Sequence, residues 1–166
     1  MGVTAEAVCA RAGLTKRYFY EAFTDRDELL GVVADDLYDA LHAAIVTALD
    51  PIGPDSRARA TATVDTLVGT LDADARVARL YVESPALPVL LARRDERVDE
   101  FADLLLTHVL LLGPGSADRP RHRTAAVLLV SGTTHLVTRW LAGAVPLSRA
   151  GLVEEITRAG MAALDA

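Results

Sequence analysis

Several common residue types are scarce in this chain, and each scarcity closes off a class of protein. Of 166 residues only Cys9 is cysteine, so no internal disulfide can form, and no histidines cluster with it at zinc-ligand spacing. Such a chain suits a reducing compartment, and a cytoplasmic location is expected. No secretory h-region opens it, and its longest uninterrupted apolar run, Ala125–Val130, is far below a membrane span, so no membrane partner is expected. Lysine occurs once, at Lys16, and the remaining basic residues are all arginine, a usage typical of GC-rich bacterial coding. Aromatic residues are few: one tryptophan, four tyrosines and three phenylalanines. No stretch alternates apolar and polar residues as a half-buried strand would.

The chain is 51% hydrophobic, enough to bury a core in one or two small domains. A net charge of −6 and a pI near 5.1 speak against a protein that coats nucleic acid non-specifically, while leaving room for a small surface of locally placed cations. Apolar residues recur at helical period, which predicts helices near 5–11, 16–23, 26–49, 56–71, 74–83, 87–112, 118–142 and 149–164. Thr4, Thr15, Ser56 and Ser148 read as N-caps, Asp25-Arg26-Asp27-Glu28 as a capping box, and Gly143 as a C-terminal stop. The expected fold class is all-α.

Two helices carry contrasting patterns. In "RRDERVDEFADLL" (93–105) charges alternate in sign on one side and Val98, Phe101 and Leu105 lie on the other, which predicts a solvated charged face. Arg79 and Glu83, four apart, read as a surface pair. By contrast "TAAVLLVSGTTHLVTRWLAG" (124–143) is apolar nearly all round, as expected of a helix covered on two sides. One side then faces the protomer core and the other a partner subunit, with Ser131 and Gly132 allowing close approach; burial of both sides within a monomer is the alternative. The last helix places Leu152, Ile156, Ala159 and Ala163 in one row, broadened by Val153, Gly160 and Leu164.

The densest local signal is "AGLTKRYFYEAFTDRDELL" (12–30), which holds four of the aromatic rings and the only lysine. A short helix, a turn at Gly13 and a second short helix from Thr15 give helix-turn-helix geometry. Phe19 and Phe23 share a face four residues apart and are expected in the core with Leu14 and Val8. Lys16, Arg17, Tyr18 and Glu21 take the opposite face, with Tyr20 near the boundary. Cations and phenols on the first turn are what a helix needs to enter a major groove. Residues 1–30 nevertheless balance at −1, with Arg11, Lys16, Arg17 and Arg26 against Glu6, Glu21, Asp25, Asp27 and Glu28, so any such contact depends on placement.

"VCARAGLTKRYFYEAFTDRDELL" resembles the signature of TetR-family transcriptional regulators. The family spacing is met by Ala12-Gly13-Leu14, Thr15, Phe19-Tyr20, Phe23, Arg26 and Leu29, and the resemblance covers residues 4 to 30. It implies that Thr15 and Tyr20 bond DNA phosphates, that Lys16, Arg17 and Tyr18 read bases or backbone, and that Arg26 touches phosphate where the family usually has lysine. Ala22 replaces a frequently polar or aromatic position, and Arg17 a frequent glycine. The family also has a helix ahead of this pair, whereas the numbering here starts just before the first motif helix. The expectation is a head lacking its first helix, whether as a fragment, a mis-set gene start or a copy that has lost strong DNA binding.

The resemblance further implies a DNA-binding domain over 1–45, including a linking helix, and a ligand-binding and dimerisation domain over 46–166. The implied partners are a double-stranded DNA operator, a small and mostly apolar effector, and a second copy joined through the last two helices. Two heads would meet successive major grooves about 34 Å apart. Polar groups set in apolar helices are the candidate ligand contacts: Tyr81, His108, Thr134, His135 and Trp140. Trp140 and Leu136 are the positions expected to disturb a dimer when charged, provided they face the partner. Cys9 is expected to fill a small buried slot.

No enzyme, cofactor or metal site is expected. "VSGTT" (130–134) lacks the first glycine of a nucleophile elbow and a strand before it, and "GPGSADRP" (113–120) has neither the lysine nor the strand of a P-loop. His108 and His135 have no metal-ligand spacing to each other or to the other histidines. The reading is therefore a ligand-responsive DNA-binding transcriptional regulator, a repressor released by a small molecule. Its rival is an all-α dimer that binds a small molecule and no longer binds DNA.

Overall fold

Several helix starts in this chain are set by side-chain caps that satisfy otherwise orphaned N–H groups. The structure, a computed structural model, describes residues 4–113, 115 and 119–165, apart from the side chains of Ser84, Leu164 and Asp165. Thr4 opens α1 (Ala5–Ala12) by accepting the Ala7 N–H at 3.2 Å, and Gly13 closes it in the left-handed region, φ 68°. Helix α2 (Lys16–Ala22) follows Thr15, whose backbone is extended as a cap requires but whose hydroxyl makes no capping bond. Asp25 caps α3 (Arg26–Leu49) by accepting the Glu28 N–H at 2.9 Å, while the Glu28 carboxylate accepts from Thr24 N–H. The cap of α4 (Ser56–Asp72) is Asp55, one residue ahead of the expected Ser56, because its carboxylate reaches both Arg57 and Ala58 N–H. Helix α5 (Ala75–Glu83) leads through a single 3₁₀ turn to α6 (Pro88–Leu104), then α7 (Pro120–Leu141) and α8 (Arg149–Asp165), capped by Ser148 as expected. The start of α7 expected at 118 lies outside the described residues, as do parts of the 113–120 loop. Among the described residues there is no strand, and no helix is long and apolar enough to cross a membrane.

The core is organised on α3. Leu30, Ala34, Tyr38, Leu41, Ile45 and Leu49 form a buried stripe at steps of four and three. Most of it meets Val64, Val68 and Leu71 of α4, Tyr81 of α5, Leu90 of α6, Val137 of α7 and Leu152, Val153 and Ile156 of α8. The boundary expected at 45/46 falls inside this unbroken helix. Leu136 and Trp140, expected to disturb a dimer provided they face a partner, are partly buried against this core, and Trp140 Nε1 donates to the Leu147 carbonyl at 2.8 Å. The row expected on α8 is likewise rotated: Leu152, Val153, Ile156 and Thr157 are buried, and Ala159 and Ala163 are exposed.

A helix running to 112 is the largest departure from expectation. Helix α6 stops at Leu104 and continues as one π-helical turn over Leu105–Val109, with Leu110 N–H on the Leu105 carbonyl at 3.0 Å. The wider turn has a packing reason. It lets Leu104 and Val109, five apart, join Ile45 and Leu49 in one cluster, while Leu106 joins Ala102 and Ala126 in another. Leu111 then ends the segment at φ 53°, where side chains other than glycine are seldom found.

Arg59 holds this end of the molecule. It is 8% exposed and has no carboxylate among its described partners; Nε donates to the His108 carbonyl at 2.7 Å, and Nη1 to Ile52 at 2.6 Å and Leu49 at 3.2 Å. The Leu49 and His108 carbonyls belong to the ends of α3 and of the π turn, where the partial charge is negative, and the Ile52 carbonyl to the loop that follows α3. Replacing Arg59 by Met would strand several buried acceptors. The expected loss is about 2–4 kcal/mol in urea denaturation, and a loss below about 1 kcal/mol would show that the carbonyls are satisfied otherwise.

Candidate ligand cavity and exposed head

Two features have the chemistry of a site. The first is an apolar cavity of about 130 Å³ between α3, α4, α6, the π turn, α7 and α8. Leu41, Ile45, Leu67, Phe101, Leu105 and Val109 are typical of its wall. A cavity of this size is on the scale that admits a single aromatic ring.

Its polar lining is mostly committed to protein partners. Tyr81 is bonded to Thr134, and burial pushes its phenol above the ordinary range. The Arg94 guanidinium stacks over the Tyr81 ring, 5.5 Å from the centroid, and donates to Thr138 Oγ1 at 3.0 Å; Thr138 in turn donates to the Thr134 carbonyl at 2.7 Å. Arg97 bonds Asp39 and Glu100 at 2.8 Å and Asp35 at 3.3 Å. Thr63 donates to the Arg59 carbonyl. Thr157 is different. It is 4% exposed, and its hydroxyl is, among the described residues, the buried side-chain polar atom with no hydrogen-bond partner. Leaving such a group unpaired costs about 1–3 kcal/mol.

Of the expected ligand contacts, Tyr81 and Thr134 lie together in the cavity wall. His108 and His135 are exposed and Trp140 packs against the main core, and none of the three lines the cavity. The charged face expected over 93–105 is only partly solvated: Arg94 and Arg97 turn to the cavity and to α3, leaving Asp95, Glu96 and Asp99 outside. Tyr38, Arg94, Arg97 and Thr157 were not foreseen. Tyr38 could have been found from its place in the α3 stripe; nothing local in the sequence marks Thr157. The Arg79–Glu83 surface pair forms as expected, at 2.7 Å.

The second feature is the α1–α2 unit. Phe19 is 5% exposed and packs on Ala5 and Cys9, with Val8, Phe23 and Leu29 at the edge of the cluster, and its ring meets Phe23 at 5.6 Å. Leu14, expected in this core, is 53% exposed because its place after the left-handed Gly13 carries it past the cluster. Thr15, Lys16, Arg17, Tyr18 and Tyr20 are all exposed, and Arg26 is half-buried. The three cations expected at DNA each have an acidic neighbour: Lys16 with Glu6, Arg17 with Glu21 at 2.7 Å, and Arg26 with Asp27 at 2.7 Å. The Lys16 ammonium holds the Glu6 carboxyl below its usual range, and Glu6 raises Lys16. Among the described residues no group of His, Cys, Asp or Glu is arranged to hold a metal ion.

Burial pushes the Tyr38 phenol up to about 12, with nearby Tyr81 adding to the effect. The folded state therefore keeps a proton that the unfolded chain loses near pH 10. Stability from this group is complete below that point and falls between pH 10 and about 12, by up to roughly 2–3 kcal/mol. Tyr38→Phe is expected to flatten the fall, read from urea midpoints at neutral pH and through that window; an unchanged alkaline slope would assign it to other groups. No protein-family model matches this chain, and no curated protein matches it in sequence.

Proposed function

We propose that this chain is a ligand-responsive, DNA-binding transcriptional regulator of the TetR type, a repressor whose operator affinity falls when a small molecule fills the cavity. The observation that carries the reading is the double role of α3. Its first turn supplies Leu29 to the α1–α2 cluster, and its middle supplies Tyr38, Leu41 and Ile45 to the cavity wall. Twenty-four residues of helix span about 36 Å, so a ligand that displaces the middle of α3 moves the head with it. The exposed Lys16, Arg17 and Tyr18 would enter the major groove, with Thr15, Tyr20 and Arg26 on phosphates. Surface ion pairs contribute little, so phosphates can take over the cations that Glu6, Glu21 and Asp27 now hold.

The same ion pairs favour the rival reading, a ligand-binding dimer without DNA affinity. A gel shift on the DNA upstream of its own gene separates the two. A sequence-dependent, salt-sensitive shift is expected; Tyr20→Phe should weaken it about fivefold on all sequences alike, and Glu6→Gln should strengthen it a few-fold. No shift by the wild-type protein would favour the rival.

The partner surface we assign to the outer face of α7 and α8. Leu128 is 67% exposed, Gly132 has nothing within 4 Å of where a side chain would begin, and His135, Ala159 and Ala163 are exposed beside them. Sedimentation at micromolar concentration is expected to give a dimer that Leu128→Glu converts to a folded monomer. A wild-type monomer would remove this surface from the account.

A further inference from the structure

We infer that the cavity takes an uncharged molecule of single-ring size bearing a carbonyl oxygen, and that the Tyr38 phenol donates its proton to that oxygen. The inference rests on reading the cavity as the effector site and adds the chemistry of the effector.

Size follows from the void. About 130 Å³ holds roughly six to nine non-hydrogen atoms, one ring with a short substituent. The polar contact follows from the hydroxyls in the wall. Thr63 donates to the Arg59 carbonyl, and Tyr81 and Thr134 are bonded to each other. Thr157 Oγ1 has no partner but is fully occluded, so nothing in the void can reach it. Two hydroxyls remain. Neither Tyr38 nor Thr133 has a hydrogen-bond partner for its hydroxyl among the described residues, and neither oxygen is fully occluded. Thr133 is only half-buried and can bond solvent. Tyr38 is 7% exposed on the inner stripe of α3, so a partner for its phenol has to come from the cavity.

The charges around Tyr38 select the kind of partner. No carboxylate lines the cavity, whereas Arg94 and Arg97 do. Burial raises the Tyr38 phenol, and both guanidiniums pull it back, so their field reaches its oxygen. A group approaching there meets positive potential and a hydroxyl proton, which attracts the negative end of a dipole and repels an ammonium. An anion gains less than two arginines would suggest. Arg97 is held by Asp35, Asp39 and Glu100, and Arg94 stacks over Tyr81 and donates to Thr138. A carboxylate would have to compete with those partners after losing its water. A carbonyl oxygen needs only the proton that Tyr38 has to give. Because Tyr38 belongs to α3, the bond would tie the ligand to the helix that positions α2.

Calorimetry on the full chain tests this with cyclohexanone, its hydrocarbon isostere methylenecyclohexane, and the ions cyclohexanecarboxylate and cyclohexylammonium. Tyr38→Phe keeps the ring and removes the proton. It should weaken cyclohexanone about tenfold and leave methylenecyclohexane within about twofold, which also shows that its cavity is intact. The ratio between the two probes cancels their different hydration. Thr133→Val should leave that ratio unchanged, and neither ion should bind more tightly than the ketone. Independently, the infrared carbonyl stretch of cyclohexanone bound to the wild type should fall below its value in a hydrocarbon solvent, and it decides the matter if Tyr38→Phe binds neither probe. An unchanged ratio in Tyr38→Phe, a tenfold shift in Thr133→Val instead, an ion as the tightest probe, an unshifted stretch, or no binding by any probe would each overturn the inference. DNA binding is scored separately. Failure of the ketone test with the gel shift intact defeats this inference alone, and success without a gel shift defeats the regulator reading alone.

Discussion

A single helix has to serve two apolar surfaces that do not touch, and the rest of the molecule is arranged around that constraint. On α3, Leu29 belongs to the small cluster under α2, while Leu30 beside it begins the buried stripe of the main core. Neighbouring residues on a helix point about 100° apart, so the two clusters lie on different sides of the same turn. Six stripe residues from Leu30 to Leu49 fix the helix in the larger body, whereas the α1–α2 unit reaches α3 chiefly through Leu29 and the Asp25 cap. The unequal anchoring makes α3 the element that dictates where α2 points. A rotation of α3 is resisted by its packing and is passed to α2 through a short, capped joint.

The cavity is lined by the middle of that stripe, at Tyr38, Leu41 and Ile45. Interiors pack at crystal-like density, and an unfilled volume lined by side chains forfeits dispersion contacts and therefore stability. Here the void persists because its walls are braced from outside: Arg97 ties α6 to Asp35 and Asp39 of α3, and Arg59 fixes the π turn to the end of α3. Collapse would require those contacts to shift together. The π turn contributes as well, since an ordinary α-helical turn would separate Leu104 from Val109 and open the end of the cavity that both now line.

What could be read from the sequence was local. Thr4, Asp25 and Ser148 cap helices because a cap is decided within three residues, and Phe19 points inward while Lys16 and Arg17 point outward because the period of one short helix decides it. What could not be read depends on residues far along the chain. Arg59 is buried by carbonyls up to 49 residues away, Arg97 by carboxylates about 60 residues away, and each side chain taken alone reads as a solvated arginine. Thr157 is the extreme case. A threonine between Ile156 and Arg158 has no mark in sequence of being buried, nor of being left without a partner. The π turn belongs to the same class, because the choice of which leucines share a face was made by α3 and α7.

The exposed head poses a problem of charge that bears on specificity. On the regulator reading, each cation of α2 must exchange a carboxylate for a phosphate, and that exchange is nearly neutral, since an exposed pair is worth at most about 1 kcal/mol. Affinity cannot then come mainly from net charge, as it does for strongly basic readers of DNA. It has to come from groups that need no exchange: the Thr15 hydroxyl, uncommitted to its own cap, and the Tyr18 and Tyr20 phenols, both more than half exposed. Such neutral groups act only at hydrogen-bond distance and in a fixed direction, so they depend on how rigidly α2 is seated. On that reading the buried Phe19 ring, held edge-on to Tyr20 at 5.2 Å, would matter as much to recognition as the side chains that would touch the duplex.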